Sequence, residues 1–279
     1  MKTINIKGEL LDLSTPVVMG ILNITPDSFY SGSRKESETE IITRTQEILE
    51  QGGAIVDIGA QSTSPVSKFM TAEEEIERLS FALPIINREF PGIILSVDTF
   101  YGEVARFCVE EHGVAIVNDI SGGEIDKTMF DTVAKLNVPY ILMHMRGTPQ
   151  TMKDLTDYDN LIQDIFYYFS QKVAQLHLLG VNDIIIDPGF GFSKTMDQNY
   201  ELMSALQGFS IFDLPLLVGI SRKRMISNLL GTTPAENLNG TTVLNTFALL
   251  NGANILRVHD VKEAVEAVKI VQKLGEYSL

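Results

Sequence analysis

Short apolar runs that stop abruptly at a polar residue recur along this chain, each followed by a stretch of helical period. Residues 17–22 are apolar and end at Asn23, after which Thr25, Pro26, Asp27 and Ser28 make a polar turn. Apolar runs of about 4–8 residues bounded by turn signals read as buried strands. The same design returns at 55–58, 93–98, 114–119, 138–145, 184–187, 214–219 and 255–258. Amphipathic helices are predicted between them, the first ending near Gln51 before Gly52-Gly53 and the last running over 261–274. Ser37-Glu-Thr-Glu40 and Thr71-Ala-Glu-Glu74 each have the form of a capping box, a hydroxyl followed three residues later by a carboxylate. Residues 3–13 alternate weakly around Gly8 and predict a short hairpin ahead of the first buried strand.

Strict alternation of strand and helix implies a parallel sheet covered by helices. Eight such units within 279 residues favour a closed (β/α)8 barrel, one domain spanning 1–279, over an open doubly wound sheet. No G-x-G-x-x-G or P-loop follows an early strand, which argues against a dinucleotide or Walker-type nucleotide site.

Composition narrows the function. With 44% hydrophobic and 21% charged residues the profile is that of a globular protein, and no apolar run approaches the roughly 20 residues needed to span a bilayer. Lys2, Glu9 and Asp12 interrupt the N-terminal apolar residues, so no signal peptide is visible. The single cysteine, Cys108, excludes an internal disulfide and suits a reducing cytoplasm; its place in Arg-Phe-Cys-Val reads as core packing. A formal charge of −14 repels nucleic acid and anionic membrane, so an anionic ligand needs a local cationic pocket.

The expected strands finish in Asn23, Asp57, Asp98, Asn118-Asp119, His144, Asp187, Ser221 and His259. In a barrel these ends share one face, where barrel active sites sit, although each alone reads equally well as a helix cap. Parity puts Arg257 and His259 on one side of their strand, and Ser96 and Asp98 on one side of theirs. A buried Arg and His need a bound anion or neighbouring carboxylates. Gly189 and Gly191 allow close backbone approach to a flat ligand that Phe192 would touch, and Lys223 opens a helix, where anions are favoured, unless it is a solvated surface lysine. The run Glu73-Glu-Glu75 reads as a solvated first helical turn. His112, His144, His177 and His259 lack zinc-type spacing.

The motifs Asn23-Ile-Thr-Pro-Asp-Ser-Phe29, Val97-Asp-Thr99, Asn118-Asp-Ile-Ser-Gly122, His144-Met145, Asp187-Pro-Gly-Phe-Gly-Phe192, Ser221-Arg-Lys223 and Arg257-Val-His259, in this order, resemble the dihydropteroate synthases. The resemblance implies a pterin-binding (β/α)8 barrel that condenses 6-hydroxymethyl-7,8-dihydropterin diphosphate with 4-aminobenzoate, as a homodimer. It assigns the pterin to Asp98, Asn118, Asp187 and Lys223, with Met143 and Phe192 against its ring. Asn23 would ligate Mg²⁺, Arg257 and His259 would grip the diphosphate, and Ser221 and Thr63 would border the aminobenzoate. Loops 25–35 and 60–70 would cover the site.

One position departs from the family pattern. After Ser62-Thr63 the family has Arg then Pro, whereas this chain has Ser64-Pro65, with Lys68 or Arg34 as candidate substitutes for the missing cation. Two other readings follow on the same barrel: a pterin-binding paralogue without synthase activity, and a methyltetrahydrofolate methyltransferase. The second has little use for paired Arg257 and His259.

Overall fold

The computed structural model of the chain describes residues 2–24, 34–61 and 70–277. Two short strands, β1 (Thr3–Ile6) and β2 (Glu9–Asp12), pair antiparallel as the expected hairpin. The alternating series then begins with β3 (Val17–Asn23), α1 (Arg34–Glu50), β4 (Ile55–Gly59), α2 (Ala72–Glu89), β5 (Ile94–Asp98) and α3 (Gly102–His112). It continues with β6 (Ile116–Asp119), α4 (Met129–Leu136), β7 (Tyr140–Met143), α5 (Leu161–Leu178), β8 (Ile184–Asp187) and α6 (Met196–Ser204). It ends with β9 (Leu217–Val218), α7 (Arg224–Leu230), α8 (Leu238–Leu250), β10 (Ile255–Val258) and α9 (Val261–Gly275).

Eight parallel strands pair in the order β8-β7-β6-β5-β4-β3-β10-β9, and a bridge between Ile186 and Leu216 joins the two ends. The result is the (β/α)8 barrel. Strand parity sorts its apolar residues into two bodies. Val18, Val56, Ile58, Leu95, Val97, Val117, Leu142, Ile184, Leu256 and Val258 face outward into one core shared with the helices. Met19, Ile55, Ile116, Ile141, Ile185, Leu217 and Ile255 face inward and pack with Ile4 and Leu13 from the hairpin end. This inner layer forms an apolar floor. The next inward positions along the strands lie nearer the C-terminal mouth, and there Asp57, Ser96, Asn118, Asp187 and Arg257 bring in polar groups.

Two contacts show how the helices are seated. A Cβ on Gly20 of β3 would lie 2.5 Å from Cγ2 of Ile48, so α1 rests directly on that strand. Thr71 caps α2 with the reciprocal capping box the sequence announces. The other expected box does not exist. Helix α1 is already running at Arg34, so Ser37 is an interior, buried residue. The hydroxyl-x-x-carboxylate spacing also occurs one turn inside a helix, and it marks a start only where the backbone enters from an extended conformation. The Glu73-Glu-Glu75 run also differs from expectation. Glu75 is fully buried, because it leads the inward stripe that continues through Leu79, Ala82, Leu83 and Ile86.

Candidate active site

Register builds the site's first row. Asn23 pairs with Gly59, Gly59 with Asp98, and Asp98 with Asn118, so four neighbouring strands present these residues side by side at the mouth. Gly59 leaves a gap in that row: a Cβ there would lie 3.4 Å from Asp98 Cβ and 3.7 Å from Asn23 Oδ1. Asn23 itself is exposed.

One layer deeper, Asp57 Oδ2 accepts hydrogen bonds from Asn118 Nδ2 (3.0 Å) and Arg257 Nε (2.6 Å). Arg257 Nη2 donates to Asp98 Oδ2 at 2.6 Å. Of the two ways to satisfy a buried Arg257, the carboxylate pairing is therefore present, and it ties β4, β5, β6 and β10 across the barrel. The guanidinium side chain keeps 21% exposure and remains reachable from the mouth. Burial pushes the Asp98 carboxyl up to about 7, opposed by Arg257 and reinforced by Asp57. Asp57 Oδ1 and Ser96 Oγ are buried with no hydrogen-bond partner among the described residues.

Across the mouth, Asp187 Oδ1 accepts from the Gly189 N–H at 2.8 Å. Burial raises the Asp187 pKa while Lys223 draws it down. The Lys223 pKa is in turn lowered to about 8 by burial, with Asp187 opposing. Lys223 Nζ donates to the Phe190 carbonyl and lies 4.7 Å from the centre of the Phe192 ring. It is thus held in the site and is no surface lysine. Phe192 packs beside Met143 in an apolar cluster with Phe100, Ile120, Met145 and Met152. A flat heterocycle with polar edges suits this combination of an apolar wall, two carboxyls, an amide and a lysine.

Ser221 Oγ accepts from the His259 N–H and lies within hydrogen-bond reach of His259 Nδ1, both at 3.1 Å. Arg44 anchors the same corner by donating to the His259 carbonyl at 2.6 Å. Desolvation lowers the imidazole pKa, Arg257 adds to this, and Asp260 opposes. Arg222, between Ser221 and Lys223, adopts a positive φ of 56° and forks onto Asp260 at 2.6 and 2.9 Å.

Asp98, Asn118, Met143, Asp187, Phe192, Ser221, Lys223, Arg257 and His259 thus lie together at the mouth. Asp119 takes the cap role instead, accepting from Tyr140 Oη and the N–H groups of Ser121 and Gly123. Thr63, Ser64, Pro65 and Lys68 lie outside the described residues, as do most of loops 25–35 and 60–70 and the Arg34 side chain.

Gly189 of the 188–192 turn serves a different purpose from the one expected. A Cβ on Gly189 would lie 2.0 Å from the His144 carbonyl oxygen, so this glycine admits the neighbouring backbone, not a ligand. Sequence reasoning also passed over Lys194. Its Nζ reaches the carbonyls of Gly189 and Phe192, both at 3.0 Å, and His144 Nδ1 at 3.1 Å. Burial lowers its pKa to about 7, with Asp187 opposing. Asp57, named only as a strand end, is the hub of the network; the inward parity of Ile55, Asp57 and Gly59 was the available signal.

As for a divalent cation, the described residues hold no cluster of three or more His, Cys, Asp or Glu side chains arranged to take one. Asn23 offers a single exposed neutral oxygen, separated from Asp98 by Gly59 of the strand between them. That donor fits an ion such as Mg²⁺, which keeps most of its shell as water and substrate phosphate.

The comparisons agree with this geometry. Residues 19–259 match the family model described as pterin binding enzyme. The dihydropteroate synthase of Escherichia coli K12 is 39% identical over 268 residues, covering 95% of this chain and 94% of that protein. Among solved structures, the Yersinia pestis dihydropteroate synthase in a sulfonamide drug complex superposes with a TM-score of 0.90 at 36% identity, covering 99% of this chain and all of that one. The Xanthomonas albilineans enzyme with 4-aminobenzoic acid gives a TM-score of 0.88 at 33% identity, covering 99% of both chains. With its barrel and the residues at its mouth accounted for, this chain belongs to the pterin binding enzyme family.

Proposed function

We infer that the chain is a dihydropteroate synthase, condensing 6-hydroxymethyl-7,8-dihydropterin diphosphate with 4-aminobenzoate to give 7,8-dihydropteroate and pyrophosphate. The observation that carries the reading is the mouth itself: Asp98, Asn118, Asp187 and Lys223 surround the apolar wall of Met143 and Phe192. In this reading the carboxyls and amide take the polar edges of the pterin, and Phe192 and Met143 take its faces.

The reaction forms a carbon–nitrogen bond between the aromatic amine and the exocyclic methylene of the pterin. The carbon–oxygen bond to the diphosphate breaks, its electron pair leaves with pyrophosphate, and the amine gives up one proton to the pyrophosphate or to water. The amine is neutral at pH 7, so attack depends on orientation more than on a strong base. Asp98, drawn toward neutrality by burial yet paired with Arg257, sits where positive charge spreads into the ring as the leaving group departs. In this reading Arg257 and His259 take up the departing charge. In the same reading Ser221, held by His259, borders the aminobenzoate. Asn23 would hold Mg²⁺, which neutralises the leaving pyrophosphate when bound.

Two further properties belong to the same reading. Val243 (58% exposed), Phe247 (40%) and Leu250 (61%) leave an apolar strip on α8 that supports pairing of two copies as a homodimer. The single cysteine accords with a reducing, cytoplasmic setting.

The test is direct. Incubation with the pterin diphosphate, Mg²⁺ and 4-aminobenzoate should yield dihydropteroate and pyrophosphate in equal amounts, and Asp187→Asn should raise the pterin KM about tenfold or more. Tight pterin binding with no product would overturn the synthase reading in favour of a non-catalytic pterin-binding protein.

A further inference from the structure

A lysine with no direct part in the reaction as described sits behind the pocket. Lys194 is 8% exposed, and its ammonium has three N–H groups for three acceptors. Two of these are the carbonyls of Gly189 and Phe192, at either end of one turn, and the third is His144 Nδ1 just past β7. An aliphatic side chain would fill the same space without the cost of burying a charge, so the charge itself calls for a role.

The turn that Lys194 closes is not a self-supporting shape. Gly189, Gly191 and Ser193 all have positive φ (72°, 79° and 45°), and the last of these is unfavourable for a residue with a Cβ. Ser193 is held from outside as well: its Oγ accepts from the Arg146 N–H at 2.9 Å, and its carbonyl accepts from Tyr158 Oη at 3.0 Å. Between these ties the turn exposes two features to the pocket. The Phe190 carbonyl receives Lys223 Nζ, and the Phe192 ring lies under the same ammonium. Lys194 therefore pulls the turn inward from behind while Lys223 meets it from the front.

We propose that Lys194 is a positioning residue for the pterin site, its ammonium fixing the 189–192 turn so that Phe192 and Lys223 are set for the ring. This rests on the reading of the mouth as the pterin pocket. Lys194 acts through the turn and through Lys223, without touching the substrate. Because the turn forms one wall of that pocket only, its loosening falls on the pterin and spares the aminobenzoate.

The experiment measures steady-state KM for each substrate separately in Lys194→Met and in Asp187→Asn, with thermal unfolding of each. ¹⁵N resonances of His144 report whether Nδ1 still accepts a hydrogen bond. Lys194→Met should raise the pterin diphosphate KM about tenfold or more, leave the aminobenzoate KM within about twofold, and shift His144 Nδ1. Equal rises in both KM values, or an unchanged pterin KM beside a raised one in Asp187→Asn, would overturn the role of Lys194 and leave the pocket standing. An unchanged pterin KM in Asp187→Asn would remove the pocket reading and the inference with it. Should Lys194→Met not fold, Lys194→Arg carries the same readout, since a planar guanidinium cannot reproduce the three-way tie.

Discussion

Glu75 shows how far a single residue's setting can depart from its sequence context. It stands among three consecutive glutamates, yet it alone turns inward and is fully buried. Burial raises its pKa to about 8, opposed by hydrogen bonds from Thr99 and Gln61 and reinforced by Asp98. A carboxyl whose folded pKa lies above its unfolded value of 4.5 holds an extra proton in the folded state between the two values. Across that window its contribution to stability falls as pH rises, by up to about 1.4 kcal/mol for each pH unit crossed. Glu75→Gln keeps the shape and removes the ionisation. Its melting temperature relative to the parent should therefore climb by several degrees between about pH 5 and about pH 8 in calorimetry; an equal difference at both would mean that Glu75 is charged when folded. The identities at the mouth were legible because strand ends could be found from hydrophobicity alone. The partners were not, since Asp57 and Arg257 are 200 residues apart and no local pattern links them. Lys194 was hidden for the same reason, its acceptors being backbone carbonyls that exist as a cluster only after the turn has formed.

At the scale of elements, the turn after β8 and the ends of the helices obey different rules. Gly180 and Gly189 both have positive φ, yet a side chain at Gly180 meets nothing within 4 Å, while one at Gly189 collides with the His144 carbonyl at 2.0 Å. Gly180→Ala should cost about 1 kcal/mol, the conformational penalty alone. Gly189→Ala adds displacement of β7 or of the turn and should cost about 3 kcal/mol or more, measured by denaturant unfolding. Similar losses for the two would mean that the turn yields without moving its neighbour. The sequence marks both glycines as turn residues, but only the packing separates a tolerant position from a crowded one. The two capping-box patterns make the same point. Both have the right spacing, and Thr71 caps while Ser37 lies inside α1 because the preceding backbone, not the motif, decides where a helix begins.

For the whole molecule, the order of strands and helices was readable end to end, since in a parallel barrel each strand is a solid apolar run and each crossover a helix of ordinary length. What one chain's pattern cannot convey is which outer faces remain uncovered. Val243, Phe247 and Leu250 on α8 carry the expectation of a homodimer. Sedimentation should give twice the 30.9 kDa chain mass, and Phe247→Glu should shift the species toward one chain's mass without loss of fold. A parent that sediments as a single chain would remove the dimer.

The floor formed by Met19, Ile55, Ile116, Ile141, Ile185, Leu217 and Ile255, stoppered by Ile4 and Leu13, has a consequence for traffic. Among the described residues the barrel is closed at the bottom, so a molecule bound at the mouth enters and leaves on the mouth's side. The reactant seated deepest has to arrive before anything is stacked above it, and the joined product can depart only after whatever lies across the opening has gone. The queue at this enzyme is thus written by the wall furthest from its chemistry.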